Sequence, residues 1–402
     1  MATPNRIRVL WLVKGLGPGG AEQLLLLSAK VADHERFDYR LRYVRPDKTH
    51  LVPEFESVGV YPKRLGGNVS GVSTSSQSEQ AQPTAKRWAQ AARAVLSRIT
   101  GPLKWLSDLR REMSAVDVVH PHSPVLAAAA RLLSLTIPKR RRPAVVVTEH
   151  NEWTSHHKLT RLANAVSAPI DARRWAVSDQ VLQTMWPSRR KRTEVLIHGI
   201  DTETPRPEAG TRERVRDALG IPENEVLALT VGNLRRNKDY PNLLAAAEKA
   251  RADFPRLRFI AVGQGPLEQE IKSLHADLGL GDGFQLLGFR RDVADLMAAS
   301  DIFVMGSAHE GLPVAIMEAF AAGLPVVATT VGGVPQQVRE GVEGMLAPPK
   351  NPEALARALV AVAENDELRA RMAEAAGERA SAYDIRAAMK EQEQAYSDFG
   401  RR

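Results

Sequence analysis

The sequence contains no cysteine. This absence excludes disulfide bonds, thiolate nucleophiles and cysteine-ligated zinc, and it is typical of proteins that work in a reducing cell interior. Aromatic residues make up only 5% of the chain, which leaves few platforms for stacking nucleic-acid bases. We therefore expect a cytoplasmic protein that does not bind nucleic acid.

Long apolar runs are also lacking. The first apolar run, residues 7–13, is too short for a membrane span, and Lys14 follows it directly. The hydrophobic fraction of 44% and the charged fraction of 25% are typical of a soluble globular protein. A length of 402 residues exceeds one ordinary hydrophobic core and favours two domains.

The net charge of +8 is unevenly distributed. Residues 1–200 carry 31 Lys and Arg against 16 Asp and Glu, a balance of +15, whereas residues 201–402 carry 24 against 31, a balance of −7. Clustered positive charge raises the local concentration of polyanions. The N-terminal half is therefore expected to attract anionic lipid or an acidic acceptor, and a polyanion-binding module without catalysis stays open on charge alone.

Apolar runs of strand length alternate with helical patterns along the whole chain. This alternation is typical of parallel sheets with helices on both faces, and it predicts an α/β protein of two Rossmann-like, doubly wound domains. Residues 198–210 carry Pro205, Pro207 and Gly210 and suit a linker. We expect domains at 1–200 and 201–382, with a C-terminal helix at 383–402 that crosses back to the first domain. The predicted strands are residues 8–13, 39–44, 117–120, 144–148, 226–231, 258–262, 285–287, 302–305 and 325–328.

Two segments of the first half depart from this alternation. Residues 66–83 are rich in Gly, Ser and Gln, which predicts a mobile loop. Residues 84–113 predict an amphipathic helical segment interrupted at Pro102, with Trp88 and leucines opposite many Lys and Arg side chains. Such a segment either packs on its own domain or lies on an anionic membrane surface.

A glycine-rich loop follows the first predicted strand. Gly19 and Gly20 precede a helix that begins near Ala21, so the backbone can approach a ligand and the helix N-terminus can attract an anion. The dinucleotide-binding pattern also needs an acidic residue at the end of the next strand, and this chain has Arg45 there. A Rossmann dehydrogenase is therefore disfavoured.

The strongest motif spans residues 307–325, directly after a predicted strand. Pro313 suits the first turn of a helix and Gly323 its end. Glu310 would then lie in the loop before this helix, and Glu318 one to two turns inside it. The alternative for this pair is that Glu318 is a solvated helix residue and Glu310 balances the helix dipole. A diphosphate is expected at the head of the helix, formed by Gly311, Leu312, Pro313 and Val314, where backbone N–H groups are free to bind it.

This motif resembles the E-x7-E signature of family 4 glycosyltransferases, with Glu310 and Glu318 as its two acids. The resemblance extends over nearly the whole chain. It implies the two-domain GT-B fold with a cleft, a nucleotide-sugar donor in the C-terminal domain, an acceptor in the N-terminal domain, and retention of configuration without a cofactor or obligatory metal. Other matching segments are residues 19–22, 117–123, 148–150, 176–178, 231–238, 263–266 and 331–335.

By position in the family, Lys238 would bind the donor diphosphate. Many members have arginine where this chain has Asn233, so the second phosphate contact is assigned to Arg235, ahead of Arg236. His150 would bind the donor sugar or the departing phosphate, as a catalytic residue with Glu310. The remaining assignments are His122 on the acceptor side and, with the donor, Gly19, Gly20, Gly265 and Glu318.

The predicted function is the transfer of a hexosyl-type sugar from a UDP- or GDP-linked donor to a glycan or lipid-linked acceptor, in cell-envelope or polysaccharide synthesis. A nucleotide-sugar 2-epimerase of the same fold is the alternative. Retention could proceed by front-face attack, which we favour, or through a covalent intermediate on a carboxylate. His120, His122 and His150 could be imagined as metal ligands, but no acidic ligand accompanies them in a recognisable spacing.

Overall fold

The computed structural model describes residues 6–17, 19–66, 104–202 and 207–400. This part of the chain contains two parallel sheets. Their strands are β1 (Ile7–Val13), β2 (Phe37–Tyr43), β3 (Lys63–Arg64), β4 (Val118–Pro121), β5 (Ala144–Glu149), β6 (Arg173–Ala176) and β7 (Glu194–Val195), then β8 (Val226–Val231), β9 (Leu257–Val262), β10 (Phe284–Gly288), β11 (Ile302–Met305), β12 (Val326–Thr329) and β13 (Gly344–Ala347).

Helices cover both sheets. In the first half they are α1 (Gly20–Val31), α2 (Val52–Ser57), α3 (104–113), α4 (Pro124–Leu135), α5 (Lys158–Ser167), α6 (Asp179–Thr184) and α7 (Pro187–Arg190). In the second half they are α8 (Thr211–Leu219), α9 (Tyr240–Asp253), α10 (Glu268–Asp277), α11 (Val293–Ala299), α12 (Val314–Ala321), α13 (Val334–Gln337), α14 (Pro352–Ala363), α15 (Asp366–Ala380) and α16 (Ile385–Phe399).

The strand order places a switch point in each sheet. The first sheet runs β3-β2-β1-β4-β5-β6-β7 and the second β10-β9-β8-β11-β12-β13, with every strand pair parallel. The order reverses between β1 and β4, and again between β8 and β11. Ligands of open α/β sheets bind beyond the carboxyl ends of such strands. The predicted α/β fold with two Rossmann-like domains is confirmed.

The central strands are buried on both faces, which explains why their sequences are almost continuously apolar. Residues 9–12 of β1 and residues 302–304 of β11 are fully buried. The nine predicted strands agree with the structure to within two residues at each end. Their short apolar runs are the direct signature of strands covered by helices on both sides.

The sequence did not predict four of the strands: β3, β6, β7 and β13. Two of them have only two residues, and β6 begins with Arg173 and Arg174, which do not form an apolar run. Arg174 is nevertheless buried, because its Nε lies 2.7 Å from Oδ2 of the buried Asp171. Arg131 of α4 binds the same carboxylate, with Nε 2.6 Å from Oδ1. A charge in a strand is tolerated when it is paired in this way.

The last helix packs on the first domain. Ala388, Met389 and Tyr396 of α16 belong to the apolar core around β1. Oε1 of Glu393 accepts hydrogen bonds from the Asp33 N–H at 2.7 Å and the Tyr39 hydroxyl at 2.8 Å. The chain therefore crosses between the two domains a second time just before α16.

The segment at 66–113 is only partly described. The predicted loop beyond residue 66 and the amphipathic segment up to residue 103 lie outside the described residues. The described end forms α3, where Leu109 and Met113 are fully buried against Leu10 and Leu12 of β1. Helix α3 therefore packs on the domain to which it belongs.

Candidate active site

The two switch points face each other across one cleft. Gly20, at the start of α1, lies opposite Val314, at the start of α12: a Cβ atom on Gly20 would be 3.7 Å from Cγ2 of Val314. Gly19 is the N-cap of α1. Ser178 Oγ, from the loop after β6, donates a 3.4 Å hydrogen bond to the Gly311 carbonyl. The N-terminal glycine loop and the head of α12 are thus neighbours.

The loop before α12 requires glycine because backbone lies against backbone. A Cβ atom on Gly311 would overlap the carbonyl oxygen of His150, across the cleft. A Cβ atom on Gly332 would overlap the carbonyl oxygen of Glu310, and Gly332 has a φ of +53°, in the left-handed region. The Gly333 N–H then donates to the Gly311 carbonyl at 2.7 Å. These contacts fix the position of residues 310–312.

The head of α12 offers free hydrogen-bond donors. Pro313 is its N-cap, with φ −70° and ψ 117°, and Val314 is its first residue. The N–H groups of Gly311, Leu312 and Val314 have no hydrogen-bond acceptor among the described residues. The first N–H groups of a helix cannot bond within it, and the helix dipole adds partial positive charge. This backbone can therefore bind an anion.

Lys238 and Glu310 meet beside these donors. Lys238 Nζ lies 2.6 Å from Oε1 of Glu310, and the Ser307 hydroxyl donates to the same oxygen at 2.7 Å. The two loops are joined because the Asn237 carbonyl accepts hydrogen bonds from the N–H groups of Ala308 (2.8 Å) and His309 (3.2 Å). The Lys238 and Glu310 side chains are 19% and 9% exposed, so the pair is shielded from bulk water but still open to a ligand.

Glu318 lies on α12, four residues after Val314. Burial raises the pKa of its carboxyl group, since a charged carboxylate is poorly solvated there. Its side chain is half-buried and has no hydrogen-bond partner among the described residues. Such a group gains a partner when a ligand hydroxyl binds.

The remaining donor-side residues lie on neighbouring loops. A Cβ atom on Gly265 would overlap the Leu234 carbonyl oxygen, so the loop after β9 packs directly on the loop after β8. Arg235 is exposed and interacts electrostatically with Glu22 of α1, which belongs to the other domain. Burial raises the pKa of Glu22, and the nearby Lys48, Arg235 and Lys14 oppose that rise. Arg235 therefore interacts with Glu22 of the other domain, and its own carbonyl oxygen accepts a 3.0 Å hydrogen bond from the Lys238 N–H.

Four histidines form a cluster in the N-terminal domain, in which His122 and His150 are half-buried and His120 and His198 are buried. Nδ1 of His122 lies 3.0 Å from Nε2 of His150, and the His150 and His198 rings are 5.5 Å apart. The His120 ring lies 4.2 Å from that of His122. Burial lowers the pKa of His120, His122 and His150 well below the usual range, and it lowers the pKa of His198 to about 4. All four rings are therefore neutral at pH 7.

The structure also brings in residues to which the sequence assigned no role. Gln336 Oε1 accepts a 3.1 Å hydrogen bond from the Asp179 N–H of the other domain, and Ser307 orients Glu310. His198, which follows β7, joins the histidine cluster through its contact with the His150 ring. Among the described residues, no group of three or more His, Asp or Glu side chains is arranged to hold a metal ion.

The sequence model described as "Glycosyl transferases group 1" matches residues 211–379, which include Lys238, Glu310 and α12. Residues 211–379 therefore share the sequence pattern of this family. The chain is 30% identical over 300 residues to a D-inositol 3-phosphate glycosyltransferase of Saccharomonospora viridis, a match covering 72% of the chain and 65% of the relative. The predicted membership of the glycosyltransferases is confirmed.

A second relative and a solved structure extend the comparison. The chain is 31% identical over 175 residues to the UDP-Gal:alpha-D-GlcNAc-diphosphoundecaprenol alpha-1,3-galactosyltransferase of Escherichia coli, covering 42% of the chain and 45% of the relative. Both sequence matches span less than two thirds of the relative. The fold is similar to that of Anabaena HepE in complex with UDP-glucose, with a TM-score of 0.81 at 21% identity over 98% of this chain and all of HepE.

Proposed function

We propose that this glycosyl transferase moves a hexosyl unit from a UDP- or GDP-linked sugar to a glycan or lipid-linked acceptor, with retention of configuration. The observation that carries the proposal is the Lys238–Glu310 pair beside the free N–H groups at the head of α12, with Gly20 of the other domain opposite. HepE was crystallised with UDP-glucose, and the E. coli relative is named for a UDP-galactose donor and a diphosphoundecaprenol-linked acceptor. Both names support a nucleotide-sugar donor here.

The donor diphosphate would lie against the N–H groups of Gly311, Leu312 and Val314, with Lys238 beside it and Arg235 on the neighbouring loop. Preorganised donors stabilise the negative charge that develops on the leaving diphosphate when the glycosidic bond breaks. Since these groups supply positive charge themselves, we expect transfer without a divalent metal, and activity should be unchanged in excess EDTA. Glu318 would accept hydrogen bonds from the ribose hydroxyls.

Glu310 would orient sugar hydroxyls and not act as a nucleophile. Its Oε1 already accepts hydrogen bonds from Lys238 and Ser307, which lowers the reactivity of the carboxylate. Front-face attack then suits the site: the acceptor oxygen bonds to the anomeric carbon, the bond to the diphosphate breaks, and the acceptor proton passes to the departing phosphate oxygen.

A panel of nucleotide sugars tests this function. The donor should raise the melting temperature of the protein, because a ligand that binds only the folded state stabilises it. With an acceptor glycan or lipid-linked sugar, NMR of the product should show the anomeric configuration of the donor. Conversion of the nucleotide sugar without any acceptor would instead indicate an epimerase, and the proposal would fail.

Replacing Glu318 with glutamine is expected to separate stability from binding. The folded protein holds the Glu318 proton more tightly than the unfolded chain does, so this residue lowers stability as the pH rises from the ordinary glutamate pKa of about 4.3 toward the raised value. Glu318→Gln should therefore melt at a higher temperature than the wild type at pH 8, but not at pH 4.

UDP binding to Glu318→Gln should weaken about 10-fold, because a hydrogen bond to a charged acceptor is lost. Calorimetry of the wild type and of Glu318→Gln measures the melting temperature and the UDP affinity. Glu223→Gln, at an exposed position, is the control. Unchanged UDP affinity would show that Glu318 does not bind the ribose of the donor.

The acceptor domain has a surface that suits an anionic membrane. Two contacting helices, α4 and α5, each expose an apolar stripe, and the segment from residue 124 to residue 192 carries 13 Lys and Arg against 4 Asp and Glu. Apolar side chains amid positive charge are what an anionic bilayer attracts. No helix of the described residues is long and apolar enough to cross a membrane. The exposed side chains are Val125 (48%), Leu132 (60%), Leu135 (52%), Leu159 (70%), Leu162 (50%) and Val166 (65%).

Replacing Leu159, Leu162 and Val166 together with serine should weaken binding to phosphatidylglycerol vesicles about 10-fold or more. This triple variant loses apolar area that would otherwise enter the bilayer. These side chains are exposed, so the fold should be retained. Vesicle sedimentation at low salt measures the effect. Phe289→Ser, which changes an exposed apolar residue of the other domain, is the matched control. Equal sedimentation of the triple variant and the wild type would show that α5 does not contact the membrane.

A further inference from the structure

The hydrogen bond between His122 and His150 connects two neutral rings, so only one of them donates. In the first arrangement His122 donates from Nδ1, which leaves His122 Nε2 without a proton and puts the proton of His150 on Nδ1. In the second, His150 donates from Nε2, which puts the proton of His122 on Nε2 and leaves Nδ1 of His150 bare. The two arrangements give His150 opposite properties toward a ligand: a donor in the first, an acceptor in the second.

The surroundings of His122 favour the first arrangement. Its Nε2 is buried and has no hydrogen-bond partner among the described residues. A proton there would be a buried N–H group without an acceptor, which folded proteins avoid. The structure therefore favours an unprotonated Nε2 in His122.

His198, in the same cluster, shows the same pattern. Its Nδ1 lies 3.3 Å from the Leu196 carbonyl oxygen, which can only accept, so the proton is on Nδ1. The Nε2 of His198 is then bare, and it too is buried without a partner. The protein thus already contains one buried histidine with an unprotonated Nε2.

We infer that His122 is a positioning residue that fixes the tautomer of His150, so that His150 carries its proton on Nδ1 and donates a hydrogen bond from there to an oxygen of the bound nucleotide sugar. The inference rests on the proposed function for the identity of that ligand. His150 Nδ1 has no partner among the described residues and is not enclosed, and the His150 backbone lies against Gly311. A donor at this point would stabilise charge on the leaving phosphate as the sugar bond breaks.

Nitrogen NMR of the free protein tests the tautomer without any substrate. With ¹⁵N-labelled histidine, and with His150→Gln used to assign the signals, the wild-type spectrum should show His150 protonated at Nδ1 and bare at Nε2. In His122→Phe the ring is retained but the donor is lost, and His150 should populate both tautomers. A wild-type His150 protonated at Nε2 would overturn the inference, whatever the outcome of the donor panel.

Steady-state kinetics tests the consequence for the reaction. His122→Phe should lower kcat about 5- to 10-fold, because the loss of one hydrogen bond lets part of the His150 population adopt the other tautomer. The KM for the donor should stay within about twofold of the wild-type value. His122→Asn keeps a group that can donate at the Nδ1 position and should recover most of this loss. If the two variants lose activity equally, or if only KM changes, His122 does not act through the His150 tautomer. Failure of UDP to bind the wild type would instead count against the proposed function and leave the NMR result standing.

Discussion

Lys238→Ala is expected to lower kcat/KM on the order of 10³-fold. The substitution removes the ammonium group beside the head of α12, so the leaving diphosphate loses a charge-assisted hydrogen bond that strengthens in the transition state. It also leaves the Glu310 carboxylate, whose side chain is only 9% exposed, without its cation. An unpaired, largely buried charge is costly, so both effects act in the same direction.

The matched control for this substitution is Lys249→Ala. Lys249 also forms an ion pair, with Nζ 3.3 Å from Oε1 of Glu353, but both side chains are largely exposed. Such surface pairs contribute little, so Lys249→Ala should keep nearly all activity and stability. Donor kinetics and UDP titration calorimetry of the two variants measure the difference. A Lys238→Ala enzyme within threefold of the wild type would show that Lys238 does not contact the donor.

Gly311→Ala is expected to lower kcat/KM on the order of 10²-fold by a steric effect. The new methyl group would overlap the His150 carbonyl oxygen, so the two walls of the cleft must move apart. A displacement of about 1 Å in a reacting pair is enough for such a loss. The affinity for UDP alone should fall much less, since the donor side stays intact within the C-terminal domain.

Gly377→Ala is the control for Gly311→Ala. Gly377 lies in α15, and a Cβ atom there would meet no atom within 4 Å. Alanine in a helix interior is more stable than glycine by about 0.5–1 kcal/mol, so this variant should melt slightly higher and stay fully active. Full activity of Gly311→Ala would mean that the apposition of Gly311 and His150 is not needed during turnover.

Much of the fold could be predicted because the physical signal is local. A strand between two helical layers needs apolar side chains on both faces, so β1, β8 and β11 are recognisable as short apolar runs. The helix after Glu310 was recognisable from Pro313 and Gly323, and α12 begins at Val314 and ends at Ala321 as those residues indicate. Strand β6 was not recognisable, because Arg173 and Arg174 interrupt its apolar pattern. In the structure Arg174 pairs with the neighbouring Asp171, and Arg173 pairs with Glu194 of β7.

The contacts of the candidate site were not predictable from the sequence. The family resemblance indicated Lys238 and Glu310 separately, and the 2.6 Å contact between them depends on how the loops after β8 and β11 meet. The same holds for Arg235: its assignment to the phosphate stays a prediction, and its electrostatic interaction with Glu22 of the other domain was not recognisable from the sequence. The His122–His150 hydrogen bond joins residues 28 positions apart, and the interdomain contact of His150 with Gly311 joins distant parts of the chain.

A crystal structure of the protein with bound UDP tests the central claim most directly. The account predicts the diphosphate at the head of α12, within hydrogen-bond distance of the N–H groups of Gly311, Leu312 and Val314, with Lys238 Nζ turned from Glu310 toward a phosphate oxygen. UDP bound elsewhere, with the Lys238–Glu310 pair undisturbed and those N–H groups unoccupied, would contradict it.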